Sequence, residues 1–393
     1  MTAHSILPRV GFGAAGIARP RANTDPSLTR VGEDEGMITL ATAWEEGLRW
    51  FDTAPFYGEG RAERMVGDFL RGKPRHDYLL STKVGRVIED GDAVFDFSAE
   101  GIRRSIDASL ERLGVDRFDV VFLHDPDDHL DQAVTDAWPA MLALRNDGVA
   151  DRIGIGVTRV STATELIERA GPEVLLLAER YTLLDPEAAD RLFPLCQRYG
   201  VDVAIAGALS GGMIDGVEAT NFHYQPLTPT DAARAAAIRR VCASYGVPTA
   251  AVALQFVLAH PTVTSVLTGP ARAGQLLDNL GWLRTPVPAE VWQSLRRDGL
   301  LAADVPTPPP GSPEHQCRYW RDRFGESPLE LNGSRSRGMA IVPTYSNPSG
   351  LSMGDFELTA RTWRLLRGFS CVATRPRGAS STSSPRRASA YPM

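Results

Sequence analysis

Between residues 8 and 306, short apolar runs alternate with longer stretches whose apolar positions recur at helical spacing. The short runs predict strands at 10–12, 49–54, 78–84, 118–123, 153–157, 174–178, 201–206 and 265–268. The longer stretches predict helices at 34–46, 61–71, 98–113, 130–146, from Ser161 onward, 186–199, 231–245, 249–259 and 272–283, with a further one at 288–300. Ser98 reads as an N-cap and Gly114 as the matching C-cap. Eight strand–helix units over about 250 residues are what a closed parallel barrel requires. The expectation is therefore an α/β fold, a (β/α)8 TIM barrel over 1–306 with an additional C-terminal helix. The competing open sheet would carry a glycine fingerprint after its first strand. Gly11-Phe12-Gly13-Ala14-Ala15-Gly16 has that spacing, but the next strand-end acid, Asp52, lies about twice too far along to read a ribose.

The alternation stops after Pro306. Pro308-Pro309-Pro310 breaks the chain, and Arg, Ser, Pro and Gly dominate to Met393. Residues 307–393 are expected to be a largely disordered extension, with 363–369 as one apolar piece able to dock. A read-through in a shifted frame is the alternative account of the same composition.

Composition narrows the class without choosing a function. Hydrophobic residues make up 43% and charged residues 23%, as in soluble globular chains. The net charge of −6 gives no reason to expect nucleic acid or an anionic membrane as partner. No apolar stretch is long enough to span a bilayer, and residues 1–10 lack a signal-peptide layout, so a cytoplasmic location is expected. Cys196, Cys242, Cys317 and Cys371 stand far apart, in no metal-ligand spacing, and read as core residues; no metal is expected. Among 42 basic residues only Lys73 and Lys83 are lysines. A lysine kept in so arginine-biased a chain is a candidate for a role that arginine cannot fill.

Candidate chemistry collects at predicted strand ends, where a parallel barrel opens. Asp52 lies inside an apolar run, where an ionised carboxylate is costly unless something compensates it. Tyr57 follows on the next loop, Lys83 ends the third strand and His124 the fourth. A phenol, with a reference pKa of about 10, is a poor proton-transfer group near neutrality. An ammonium beside it favours the phenolate, so Lys83 is expected to pull the Tyr57 pKa down while Asp52 keeps Lys83 charged. His124 can hydrogen-bond a carbonyl or hydroxyl oxygen. Together they form a relay for interconverting C=O and CH–OH, which needs a hydride carrier.

These segments resemble the aldo-keto reductase family from Leu7 to about Pro306. Gly47, Arg49, Asp52-Thr53-Ala54 and Tyr57-Gly58 match its first pattern, Ser81 to Arg86 its lysine segment, and Asp119 to His124 its histidine segment. The resemblance implies a catalytic tetrad of Asp52, Tyr57, Lys83 and His124, and NAD or NADP bound across the barrel mouth. It implies cofactor contacts at Gly11, Thr158, Ser210, Gly211, Gly269, Arg272, Gln275, Asp278 and Asn279. Gly269 and Gln275 stand where a basic residue would favour a 2′-phosphate, which leans the cofactor toward NAD, although Arg272 could substitute. Within the family the chain is most similar to the sugar 1-dehydrogenases, which include D-threo-aldose (L-fucose) dehydrogenases, and to pyridoxal 4-dehydrogenases. His124-Asp125-Pro126-Asp127, 180–185 and 219–224 carry that likeness.

That likeness implies oxidation of an aldose at C1 to the lactone, with Phe56, Asp125 and Tyr224 in the substrate pocket. The alternatives are a pyridoxal 4-dehydrogenase, an NADPH-dependent aldehyde or ketone reductase, or a cofactor-sensing regulatory subunit. Departures from the wider family are Thr158-Arg159 for Ser-Asn, Ala178 for glutamine, and no aromatic in 207–212 to stack on a nicotinamide. Oligomeric state is left open by the sequence. His223 reads as a surface loop residue and Lys73 as solvated.

Overall fold

The computed structural model describes residues 7–18, 32–89, 92–216, 221–222 and 225–309. Eight parallel strands close into a barrel in which each pairs with the next in sequence and the last with the first. They are Val10–Gly13, Trp50–Asp52, Leu79–Val84, Phe118–His124, Ala150–Val157, Val174–Ala178, Asp202–Ala206 and Val263–Thr268. The (β/α)8 barrel expected from the hydrophobic pattern is the observed fold. Residues from 310 onward, and with them most of the expected extension, lie outside the described residues, as do Cys317 and Cys371.

The barrel interior is a packed core. Leu7, Trp50, Val120, Phe122, Val174, Leu176, Ala204 and Leu267 fill it. Glycines admit the larger rings: a Cβ on Gly11 would lie 2.5 Å from Leu267 and 2.7 Å from Trp50, and one on Gly154 would lie 2.9 Å from the Phe122 ring. A larger apolar layer between strands and helices completes the structure, and it holds Cys196 and Cys242 as buried core residues. Burial pushes these thiols up to about 12 and about 11, so neither is a ready nucleophile.

Most helices follow the predicted bounds, and two are broken near a proline. Helix Ala99–Leu113 starts at Ser98, whose Oγ accepts from the Gly101 amide, and ends at Gly114 with φ +66°. The stretch at 130–146 is not one helix: a turn at Leu130–Gln132 passes into a π-helical segment, Ala133–Ala137, before Trp138–Asn146. Pro139 has no N–H to give the turn before it, so the ladder widens there. Likewise 186–199 divides into Glu187–Ala189 and Leu192–Tyr199, because Pro194 is tolerated only in a helix's first turn. The hydrophobic pattern also passed over a β-hairpin, Arg86–Glu89 with Asp92–Phe95, inserted after the third barrel strand. Among the described residues no single helix is long and apolar enough to cross a membrane.

Candidate active site

Parallel pairing brings the ends of the second, third and fourth strands side by side. Asp52 pairs with Ser81, Lys83 with Phe122 and Val84 with Leu123, while His124 pairs with Gly156 on the fifth strand. Side chains alternate along a strand, so Ser81 and Lys83 both face the interior where Asp52 sits. Asp52 Oδ2 accepts from Lys83 Nζ at 2.6 Å, and its Oδ1 from Ser81 Oγ at 2.7 Å. Trp50 Nε1 donates to the same Ser81 oxygen at 2.9 Å, so the ring that plugs the barrel also orients the carboxylate's partner. Lys83 donates a second bond to the Thr53 carbonyl at 2.9 Å and hydrogen-bonds the Tyr57 phenol. Its nitrogen lies 4.7 Å from the Tyr57 ring centre.

Burial opposes the charge on Lys83, but Asp52 and then Tyr57 outweigh it, and the ammonium is held above the ordinary lysine value. The Tyr57 phenol departs from the expectation drawn from sequence. Its pKa is raised, because desolvation exceeds the lowering by Lys83, and Asp52 and Asp125 add to the rise. Lys83 acts in the expected direction and is outweighed. His124 is held well below the ordinary histidine value by burial, then by Lys83 and Arg86, so its imidazole is neutral near pH 7. Its ring stands nearly perpendicular to those of Tyr57 (6.0 Å, 88°) and Phe56 (6.1 Å, 82°). His124 Nδ1 is buried without a hydrogen-bond partner, and Nε2 lies 3.7 Å from Asp125 Oδ2.

Asp52, Tyr57, Lys83, His124, Phe56 and Asp125 therefore converge. Tyr224 and His223 lie outside the described residues. Arg86, which sequence reasoning missed, joins the group by donating to Asp125 at 2.6 Å. Its signal was its place in the chain, directly after the glycine that turns the strand away from the barrel wall. Chemically, this half of the mouth offers one charged donor, one phenol and one neutral imidazole around a common space, an arrangement able to move a proton to or from an oxygen.

The opposite half is built mainly from backbone. Gly16 packs so tightly that a Cβ would lie 2.6 Å from the carbonyl oxygens of both Gly269 and Pro270. Ser210, Gly211 and Gly212 follow one another at φ of +49°, +66° and +91°. Helix Ala273–Arg284 begins without a side-chain cap, leaving its first amides available to an anion. Backbone amides and small residues of this kind fit a dinucleotide's phosphates. Asn279 is spent within the fold, donating to Thr268 Oγ1 at 2.6 Å, and Gln275 Oε1 accepts from the Ala271 amide. Arg272 pairs with Glu35 at 3.1 Å, and Asp278 is exposed on the same helix. Thr158 lies at the end of the fifth strand, its carbonyl accepting from Arg180. Gly11 stands apart from this group, inside the barrel against Trp50 and Leu267.

Comparison with known proteins agrees with this geometry. The aldo/keto reductase family model matches residues 9–297. The chain is 34% identical over 326 residues to a D-threo-aldose 1-dehydrogenase of a Pseudomonas species, covering 77% of this chain and 96% of that protein. It is 33% identical over 333 residues to a pyridoxal 4-dehydrogenase of Microbacterium luteolum, covering 75% and 97%. Among solved structures it resembles an aldo-keto reductase from Bacillus halodurans in its holo form, with a TM-score of 0.60 at 28% identity, covering 76% and 93%. It also resembles a glycerol dehydrogenase from Gluconobacter oxydans, with a TM-score of 0.60 at 25% identity, covering 79% and 96%.

Proposed function

The chain belongs to the aldo/keto reductase family of NAD(P)-dependent oxidoreductases, and on that premise we propose that it oxidises an aldose at C1 to the lactone, with Tyr57 as the proton-transfer group. The observation that carries this reading is the single hydrogen-bonded chain from Asp52 through Lys83 to Tyr57, with neutral His124 facing the same phenol. When bound, NAD(P)+ supplies the hydride acceptor. The oxidation removes one hydrogen of C1 with its electron pair and the proton of the C1 hydroxyl, leaving C=O. Tyr57 receives that proton at its oxygen, Lys83 stabilises the phenolate that must first form, and Asp52 keeps Lys83 charged and aimed. His124 holds the C1 oxygen by a hydrogen bond. Ser210, Gly211, Gly269 and the first turn of Ala273–Arg284 are the residues that would hold the phosphates. We place the preference with NAD, because Arg272 is already engaged by Glu35.

Substrate identity within this reading is drawn from the relative named as a D-threo-aldose 1-dehydrogenase. The raised Tyr57 pKa favours a second reading, reduction of an aldehyde or ketone with the protonated phenol as acid. Both are tested by following reduced-nicotinamide absorbance with NAD+ and NADP+ against aldoses and pyridoxal, and with NADH against the corresponding carbonyl compounds. Oxidation that rises with pH through the alkaline range and falls about 10²- to 10⁴-fold in Tyr57→Phe is the expected result. Undiminished turnover in Tyr57→Phe would remove the phenol from the mechanism. Turnover confined to the reductive direction would favour the second reading.

A further inference from the structure

We propose that Arg86 and Asp125 act as one unit that reads the hydroxyl group on the carbon next to the reacting one, and so determine specificity for 1,2-oxygenated substrates. The inference rests on the reading of the mouth given above but not on the direction of the reaction. Gly85 has φ +90°, and a Cβ there would lie 2.4 Å from the Phe97 ring. The chain leaves the barrel wall at that turn, which brings the hairpin's first residue over the mouth. Arg86 Nη1 donates to Asp125 Oδ2 at 2.6 Å. The guanidinium carbon lies 3.8 Å from the Phe56 ring centre and 5.3 Å from that of Phe95. Two aromatic rings and a carboxylate therefore hold the guanidinium in place, yet its Nε–H is buried with no hydrogen-bond partner.

Asp125 is held just as deliberately. It is a non-glycine residue at φ +46°, a conformation L-residues adopt rarely. Its amide donates to the Gly156 carbonyl at 2.8 Å, which fixes the turn. The same Oδ2 that meets Arg86 lies 3.7 Å from His124 Nε2, and Phe56, under the guanidinium, packs edge-on against the His124 ring. The imidazole that faces the reacting oxygen is thus next to the carboxylate and braced against the ring that carries the guanidinium.

A guanidinium only donates and an ionised carboxylate only accepts, whereas a hydroxyl does both. A hydroxyl one carbon away from the oxygen at His124 can accept from Arg86 while donating to Asp125. An aldehyde without that hydroxyl would leave the two groups paired only with each other, with the remaining guanidinium donors, among them the buried Nε–H, and the remaining carboxylate lone pairs facing carbon. That is the circumstance in which a site rejects an analogue most strongly.

The test crosses the substrate hydroxyl with the side chain. Values of kcat/KM are measured for galactose and 2-deoxygalactose, both enantiomers of each, with NAD+, and for glycolaldehyde and acetaldehyde with NADH. Wild type is compared with Arg86→Met, Arg86→Lys and Asp125→Asn. Loss of the hydroxyl should lower wild-type kcat/KM by at least about tenfold, but the Arg86→Met value by less than about threefold, with Arg86→Lys between them. Equal penalties in wild type and Arg86→Met would overturn the proposal. If Arg86→Met does not fold, the near-isosteric Asp125→Asn makes the same comparison. If galactose is not oxidised at all, the proposed aldose reaction fails, and the glycolaldehyde–acetaldehyde pair still decides whether Arg86 reads the hydroxyl.

Discussion

The strand Leu79–Val84 grips a buried carboxylate on each of its faces. On the inner face, Ser81 and Lys83 hold Asp52 at 2.7 and 2.6 Å. On the outer face, Thr82 donates to Glu63 of helix Arg61–Leu70 at 2.7 Å, and Arg112 of helix Ala99–Leu113 completes the pair at 2.6 Å. In each case one hydroxyl and one cation satisfy one acid. The difference lies in what else the cation touches. Lys83 is sealed and bonded onward to Tyr57, while the Arg112 side chain is 24% exposed and bonds onward to Ser109, away from the mouth. A buried ion pair is costly to assemble and still costlier to break from one side. Both pairs should therefore fix local structure, but only the inner one has a neighbour through which to affect chemistry.

The inner pair offers the largest expected effect. Lys83→Met removes the cation from Asp52 and the ammonium from Tyr57 together. Turnover should fall by at least about 10³-fold. Denaturant unfolding should show a loss of about 3–5 kcal/mol, because an uncompensated carboxylate stays behind in the barrel. A Lys83→Met enzyme with near-normal turnover would show that the inner pair does not act on the chemistry. The outer pair comes next. Glu63→Ala leaves Arg112 able to turn to solvent and strands the Thr82 hydroxyl, so it should lose about 2–4 kcal/mol of stability. In the folded variant kcat should drop by less than about tenfold. Equal damage to kcat in Glu63→Ala and Lys83→Met would show that the two faces are not functionally distinct.

The inner pair was legible in sequence and the outer one was not, for a physical reason. Asp52 interrupts an apolar strand, an anomaly that demands a partner, and period-two alternation then points to Lys83 at the neighbouring strand end. Glu63 lies on an amphipathic helix, where an acid is unremarkable until the fold shows that its face is covered. Glycine spacing is ambiguous in a different way. Gly11 belongs to a run with dinucleotide-fingerprint spacing, yet its missing Cβ makes room for Trp50, a contact 39 residues away. The Tyr57 pKa went astray because a neighbouring charge can be inferred from a motif, whereas the depth of burial cannot. The residues proposed to hold the cofactor were hardest to judge, since backbone amides and positive φ angles leave little trace in residue identity. Eight strands, most helices and the convergence of Asp52, Tyr57, Lys83 and His124 needed only periodicity and order.

A pH series separates charge from packing on the inner face. His124 in the folded protein takes a proton only well below its ordinary value, while in the unfolded chain it does so near about pH 6.5. As pH falls below about 6.5 the unfolded chain therefore binds the extra proton, and stability is lost. The slope from this residue should approach about 1.4 kcal/mol per pH unit. His124→Gln should flatten the wild-type slope between about pH 6.5 and 5 by up to that amount. An unchanged slope would mean that His124 titrates alike in both states and that burial, Lys83 and Arg86 do not disfavour its charge.

The smallest effect tests whether burial or pairing sets these magnitudes. Glu35 and Arg272 form an exposed carboxylate–guanidinium pair, with nitrogen and oxygen 3.1 Å apart and side chains 42% and 47% exposed. Water competes for both groups, and holding two long side chains in one geometry has an entropic cost. Exposed pairs accordingly contribute about 0–1 kcal/mol. Glu35→Gln should change unfolding free energy by less than about 1 kcal/mol, against the several expected at Glu63. On the proposed placement of the cofactor it should also release Arg272 toward the adenosine end, raising kcat/KM for NADP+ several-fold while leaving NAD+ little changed. If Glu35→Gln destabilised the protein as much as Glu63→Ala, pairing itself, whatever its depth, would set the cost of losing an acid. The contrast between the two faces of Leu79–Val84 would then have to rest on the onward bond from Lys83 to Tyr57 alone.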